Sequence, residues 1–410
     1  MYLGVLAGIF LISVEMLSAK PLAIYLSWKG DPTSTMVVQW LDKERVADRV
    51  LYYAELGQEE MIPVRSFSGS LRKGTAKRQW AEIEGLKPDS EYRFWLIKAN
   101  GKAQGPYRFR TLPKTLTREV RFAIGGDAYC SYKRFRKMNA VVAKQNPQFV
   151  VLGGDIAYAF DYMQRFTGSN GDWNRWKTFF ESWTEQMVDE EGRLIPLIPV
   201  VGNHDVKGNY LKYSKGITPR PLFYDLFLFP EDMRAYRTLT AGEYLTLFLL
   251  DSGHTRRIED EQKVWLEHEI GLHQQSTYKL AAYHVPAYPG LNQYERPTAL
   301  RIRNSWVELF EKGGVQAAFE HHGHVYKRSV PIRGGKEDPT GVLYLGDGSW
   351  GTHPRKPEEP SKLWYLAKSA SINAAFIVDI APEKCTIRAI DATGQFFDET
   401  QIAPRSQNVD

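Results

Sequence analysis

Beyond Val120 the chain keeps one rhythm: an apolar, strand-like run, a helix-like stretch, then another apolar run. Each of these runs stops on residues able to bind a cation or carry a proton. The runs are "VRFAIGGD", "PQFVVLGGD", "IPLIPVVGNHD", "YLTLFLLDSGH", "YKLAAYHVP" and "VQAAFEHHGH". Between them lie "RFRKMNAVVAKQN", "NRWKTFFESWTEQM" and "DEQKVWLEHEIGLHQQ". Such alternation specifies an α/β layered domain, because each amphipathic helix needs a sheet face to cover. Further runs, "GVLYLGDG", "AAFIVDI" and "KCTIRAID", complete the sheet with antiparallel or mixed strands. In open α/β sheets ligands bind beyond the carboxyl ends of the strands. Residues distant in sequence therefore converge on one crevice: Asp127, Asp155 with Tyr158, Asn203 and His204, Asp251, His284, and His322 with His324. Four of the nine histidines fall at these strand ends, which scattered surface histidines would not do.

Upstream the pattern is different. Residues 20–112 read as all-β, with "AIYLSW", "TMVVQW", "DRVLYYAE", "QWAEIEGL", "EYRFWLIKA" and "GPYRFRTL" separated by Gly, Pro, Asp and Ser. In "TMVVQWL", Met36, Val38 and Trp40 share one face. "GLKPDSEYRFWL" resembles the late-strand signature of fibronectin type III domains, in which a Leu-x-Pro turn precedes a tyrosine that makes a corner hydrogen bond; Leu86, Pro88 and Tyr92 match that spacing. A linker, "TLPKTLTREV", leads into the second unit, taken as residues 113–404. Two domains suit a chain of 410 residues. The first 19 residues, apolar from Tyr2 to Val14 and ending in Ser18-Ala19, resemble a signal peptide and imply a secreted or periplasmic protein. That run is shorter than the about 20 residues of a membrane span, so no span is expected after its removal. Two cysteines, Cys130 and Cys385, exclude a disulfide framework and a cysteine-rich zinc site, and no bridge between them is expected. A net charge of +5, with 48 acidic residues intermixed, favours an anionic substrate over nucleic acid.

Carboxylates, an amide oxygen and imidazoles form a ligand set for iron, manganese or zinc. Two metals sharing a carboxylate can polarise a phosphoryl oxygen and generate hydroxide at neutral pH. His322 and His324, flanking Gly323, can diverge toward neighbouring ions in an extended loop. Taken singly these signals are common; their ordered set is specific. "GGDAY", "GGDIAY", "GNHD", "AAYHVP" and "HHGHVYKR" resemble, in that order, the motifs of calcineurin-like metallophosphoesterases and among them of the purple acid phosphatases, whose larger members carry a similar N-terminal β-domain. The resemblance implies an all-β sandwich followed by an α/β layered metallophosphoesterase domain with mixed sheets flanked by helices. It also implies an acid phosphatase cleaving phosphate monoesters of small substrates by attack of metal-bound hydroxide.

The wider superfamily usually places a histidine two residues after the first aspartate, where this chain has Tyr129; purple acid phosphatases instead supply a tyrosinate, here Tyr158. By resemblance Asp127, Asp155, Tyr158 and His324 hold Fe(III), while Asp155, Asn203, His284 and His322 hold a divalent metal (Fe, Zn or Mn). His204 contacts the phosphate and protonates the leaving group, and Asp205, in place of the family's more usual glutamate, orients His204. The chain also departs from plant-type members, since "VPAYPGLNQYERPTALRIR" contains no histidine. Tyr294, Arg296 and Arg301 remain alternatives for phosphate binding there. His321 reads as a support for its neighbours, and "YLGDGSWGTHPR", with Trp350 and His353, as either site lining or a plain turn. Two rival functions stay open: a phosphodiesterase with two divalent metals and Tyr158 as bystander, and a non-catalytic binding protein on a phosphatase scaffold.

Overall fold

A computed structural model describes residues 20–72, 76–160, 171–207, 220–229, 234–346 and 348–405. The signal-peptide reading of residues 1–19 lies outside them. Eight strands form the first unit: β1 (Ala23–Ser27), β2 (Met36–Lys43), β3 (Arg49–Glu55), β4 (Ile62–Val64), β5 (Phe67–Arg72), β6 (Ala76–Ile83), β7 (Glu91–Lys98) and β8 (Ala103–Arg110). They pair into two four-stranded sheets, β1-β2-β6-β5 and β4-β3-β7-β8. Met36, Val38 and Trp40 project between the sheets with Leu51, Phe94 and Leu96, as the alternation of β2 requires. The Tyr92 hydroxyl accepts a hydrogen bond from Lys87 N–H at 2.8 Å, closing the corner anticipated from its spacing after Pro88.

The second unit contains two mixed sheets. In the first, β9 (Val120–Gly125), β10 (Phe149–Gly153) and β11 (Leu197–Val200) run parallel. The second takes in β12 (Arg237–Ala241), β13 (Leu245–Leu249), β14 (Tyr278–Ala282), β15 (Ala317–Glu320) and β16 (Tyr326–Ser329). A small ribbon of β17 (Ile332–Arg333) and β18 (Lys336–Glu337) stands apart. β19 (Leu343–Gly346) and β20 (Leu366–Ala370) complete the second sheet in the order β12-β13-β14-β15-β19-β16-β20. The chain then returns to the first sheet, where β21 (Ala374–Ile380) pairs antiparallel with β9. β22 (Cys385–Asp391) and β23 (Phe396–Ile402) extend that edge.

Both faces of the central strands are buried, so each strand supplies two cores. Phe122, Ile124, Phe149, Val151 and Val378 meet Leu247, Leu280 and Phe319 between the sheets. Their alternates face helices. Ala123, Val150 and Leu152 pack against α1 (Tyr132–Ala143) and α2 (Trp173–Gln186) through Phe135, Met138 and Trp176. Phe248, Ala281 and Ala318 pack against helices 261–272 and 308–313 through Leu266, Ile270 and Phe310. The result is a four-layer helix–sheet–sheet–helix stack in which β9, β10, β11, β13, β14, β15 and β19 all open their carboxyl ends toward one crevice. Cys130 is exposed and Cys385 buried, and both are free thiols.

Candidate metal centre

Backbone geometry concentrates at that crevice. Eight non-glycine residues among those described have positive φ, and five of them are Asp127 (56°), Asp155 (52°), Tyr158 (52°), His322 (73°) and His324 (58°). Left-handed backbone at a non-glycine residue is uncommon and costs energy, and it clusters where function requires a side chain to be aimed. The strand-end loops are also laced together. Asp127, Ala128 and Tyr129 donate their N–H groups to the carbonyls of Gly154, Asp155 and Ile156 at 2.9 to 3.0 Å. Gly202 packs so closely on Asp155 that a Cβ there would lie 2.2 Å from the Asp155 nitrogen.

Two donor groups result. In one, Asp127 Oδ1 lies 2.8 Å from the Tyr158 hydroxyl and 2.9 Å from His324 Nε2, and the latter two are 3.2 Å apart. In the other, Asp155, His284 and His322 bring one donor atom each to within 4.8 Å of one another. Asp155 Oδ2 is 3.2 Å from His284 Nε2, close enough for strong attraction but without hydrogen-bond alignment, so it is also a buried oxygen lacking a partner. Asn203 Oδ1 is a second such oxygen. Buried polar atoms are nearly always bonded, and unpartnered oxygens beside convergent imidazoles are what a cation would satisfy. The residues present therefore fit a pair of metal ions.

Electrostatics agree with that chemistry. Burial alone would push the His284 imidazole down, but the Asp155 carboxylate outweighs it and drives it up to about 10. Burial together with the Asp127 and Asp155 carboxylates pushes the Tyr158 phenol well up. Burial and the neighbouring His284 push His322 down to about 4. The carboxylates thus favour the protonated forms of His284 and Tyr158 while His322 is left neutral, and multivalent cations compete for the place those protons hold.

The surrounding residues orient the donors. His284 Nδ1 bonds the Gly153 carbonyl at 2.9 Å, which turns Nε2 toward Asp155. His204 donates its backbone N–H to Asp155 Oδ1 at 2.6 Å, its Nδ1 meets the Phe160 carbonyl at 2.6 Å, and its ring stacks on Tyr158 at 4.5 Å. Asp205 does not orient His204. Its carboxylate accepts from Ile156 N–H at 2.8 Å and Gly202 N–H at 2.9 Å, stapling two strand-end loops together. Burial and the nearby Asp155 push its carboxyl up to about 8.

Other residues noted in the sequence sort themselves out. Asp251 caps its own turn rather than joining the donors, accepting from His254, Thr255 and Arg256 N–H. Tyr129 turns its ring beneath Arg175 and beside Phe135. Trp350 is buried against Gly125 and donates to Asn139 Oδ1 at 2.9 Å, while Gly351 N–H holds the Asp127 carbonyl at 3.0 Å. The loop is thus a support for Asp127, and His353 is exposed. His321 is buried with neither ring nitrogen bonded, wedged against Gly126 and Gly153. Sequence reading overlooked Ser252 and His254, which carry no spacing signal; the clue available was only that "DSGH" ends a strand in the same way as the other motifs.

Residues 21–111 match the family described as Purple acid Phosphatase, N-terminal domain, and residues 120–326 match Calcineurin-like phosphoesterase. Purple acid phosphatase 18 of Arabidopsis thaliana is 23% identical over 377 residues, covering 86% of this chain and 77% of the relative. Probable purple acid phosphatase 20 of the same plant is 22% identical over 368 residues, covering 85% and 81%. Among solved structures, purple acid phosphatase PPD1 from yellow lupin (Lupinus luteus) seeds has a TM-score of 0.76 at 14% identity, covering 93% of this chain and 74% of that one. PhoD has a TM-score of 0.67 at 11% identity, covering 93% and 89%.

Proposed function

This chain belongs to the calcineurin-like phosphoesterases and carries the purple acid phosphatase N-terminal domain ahead of them, and we propose that it hydrolyses phosphate monoesters at a binuclear metal centre, as an acid phosphatase. The observation that carries this reading is the pair of donor groups, one around Asp127 and one around Asp155, with Tyr158 in the first. In this reading Asp127, Asp155, Tyr158 and His324 hold a ferric ion. Asp155, Asn203, His284 and His322 hold a divalent ion of iron, zinc or manganese. Bound there, the cations supply Lewis-acid polarisation of a phosphoryl oxygen and lower the pKa of water.

The protein's own groups do the rest. Tyr158, buried beside Asp127, offers a hard, charged oxygen once its proton is displaced. The His284 Nδ1 bond to Gly153 keeps the Nε2 lone pair aimed at the site. His204, anchored through Nδ1 to the Phe160 carbonyl, presents Nε2 to the substrate, binds a phosphate oxygen and gives a proton to the leaving alcohol. A small phosphorylated molecule suits the net charge of +5. A secreted or periplasmic location, with residues 1–19 removed as a signal peptide, belongs to the same proposal.

Metal analysis with visible spectroscopy tests it. Purified protein is expected to hold about two metals including iron, to hydrolyse nitrophenyl phosphate, and to be violet to pink through phenolate-to-iron charge transfer. Tyr158→Phe keeps the ring but removes the oxygen, so it should fold normally and lose the band, while Tyr129→Phe keeps it. A colourless wild type with iron loaded and oxidised would sink the tyrosinate assignment. Manganese or zinc alone would favour a phosphodiesterase with two divalent ions, and absence of bound metal would favour a binding protein.

A further inference from the structure

We propose that His254 contacts the substrate, donating a hydrogen bond from Nδ1–H to the phosphate on the side of the crevice formed by Asn203, His284 and His322. This rests on the phosphatase reading above. His254 lies on the loop after β13 and is 5% exposed, with its ring centroid 5.5 Å from that of His284. The charged and titratable groups that act on it most strongly are His284, Asp155, His322 and His204, all lining the crevice.

Its loop is rigid. The Asp251 carboxylate accepts from His254 N–H at 2.7 Å, Thr255 N–H at 2.9 Å, the Thr255 hydroxyl at 2.6 Å and Arg256 N–H at 3.0 Å. The Gln262 amide locks the Asp251 backbone from both sides, at 2.8 Å in each bond. This is the arrangement of a side chain held ready, since the ordering cost is met before a ligand arrives.

The hydrogen bonds then set the tautomer. Ser252 Oγ accepts the Val285 N–H at 2.9 Å and lies 3.1 Å from His254 Nε2. Ser252 is 1% exposed, so its hydroxyl proton needs an acceptor, and among the described residues His254 Nε2 is the one within reach. With Nε2 accepting, the ring proton sits on Nδ1. That nitrogen is bonded to no protein group among the described residues. A fixed N–H donor that the protein does not use, standing at an anion site, has an obvious acceptor in a phosphate oxygen.

Downstream of His284 the sequence carries no histidine before His321. Tyr294 lies under the Arg303 guanidinium at 3.6 Å, and Arg303 is spent on the carbonyls of Ala287 and Tyr294 at 2.7 Å each. Arg296 and Arg301 are exposed. His254 thus supplies from an upstream loop the imidazole that the segment after His284 lacks.

Full-length, metal-loaded protein should be compared as wild type, His254→Leu and His254→Asn, with nitrophenyl phosphate as substrate and inorganic phosphate as inhibitor. A hydrogen bond to a charged group predicts that His254→Leu raises KM and the phosphate inhibition constant about tenfold or more. kcat should change less, and two metals should remain bound. His254→Asn puts an amide N–H where Nδ1–H stood and should recover most of that loss. Unchanged phosphate inhibition in His254→Leu overturns the assignment, as does a His254→Asn no better than Leu. Loss of metal from His254→Leu would also overturn it, by making the residue a prop for His284. A wild type that takes up metal but neither hydrolyses the ester nor responds to phosphate removes the phosphatase reading, and this contact with it.

Discussion

At the scale of single residues, Asp155 is the carboxylate that the proposed centre shares between its two metals. Its Oδ1 fixes the His204 backbone, its Oδ2 faces His284, and its own backbone sits at φ 52°. Left-handed geometry costs about 1–3 kcal/mol per residue, and the neighbouring loops hold it through Ala128 N–H and Gly202. Asp155→Ala is therefore expected to abolish turnover and release both metals, read by elemental analysis of the purified variant; retention of two metals with normal turnover would dismiss the shared-carboxylate role. That Asp127, Asp155, Tyr158, Asn203, His284, His322 and His324 gather at one crevice was legible in the sequence, because chemical type and position at the end of an apolar run are both visible there. Direction is not visible. Asp205 and His204 are adjacent, yet the carboxylate turns to Ile156 and Gly202 while the imidazole turns to Phe160. Residues next to each other in a tight turn point apart, so adjacency misassigned the partner. The Ser252–His254 pair was hidden for a related reason: hydroxyl-to-imidazole bonds follow no fixed spacing.

Between elements, the site depends on a buried ion pair that no motif announces. Glu320 ends β15, Lys327 sits in β16, and both side chains have no exposure. The Glu320 carboxylate pairs with Lys327 and also accepts the Tyr283 hydroxyl at 2.6 Å and Ala287 N–H at 2.6 Å. Lys327 reaches the Tyr288 carbonyl as well. The pair thus clamps both sides of His284 to the β15–β16 connection that carries His322 and His324. Removing one partner from a buried pair typically costs about 3–5 kcal/mol. Lys327→Met should lose stability of that order in urea unfolding and take up one of the two metals more weakly. Adding Glu320→Gln removes the stranded charge and should restore part of both. Unaltered unfolding and metal titration in Lys327→Met would show that the clamp is dispensable. The runs read as strands and helices were recognisable because their apolar periodicity is local. What local pattern could not convey is that β21 returns to pair with β9 and that β16 lies between β19 and β20. Those placements are decided by long-range burial of faces that look alike in sequence.

Across the whole molecule, the β-sandwich contributes none of the donor residues, yet it is built into the same apolar core. Tyr25 stacks on Phe180 at 4.1 Å and donates to the Leu226 carbonyl, and Trp28 meets Phe149 edge-on at 5.8 Å. Beside this apolar seam lies a charged one. Glu91 of β7 accepts from Arg108 at 2.6 Å and from Arg193 of the second unit at 2.7 Å, and Arg193 also bonds Asp189 at 2.7 Å. Burial pushes the Glu91 carboxyl up, but the hydrogen bonds and charges of Arg108 and Arg193 outweigh it and hold the group below its ordinary value. A carboxyl depressed in the folded state contributes its full stability above the unfolded value, about 4.3. That contribution fades as pH falls through the folded value. Glu91→Gln should accordingly melt below wild type at pH 7, and the gap should close as the pH is lowered past about 4. Turnover and metal content at neutral pH should be unaffected, because Glu91 touches none of the donors. Thermal melts of both proteins across that range decide the matter: a gap that stays constant, or widens on acidification, would mean that the Arg108–Glu91–Arg193 seam does not help join the two units.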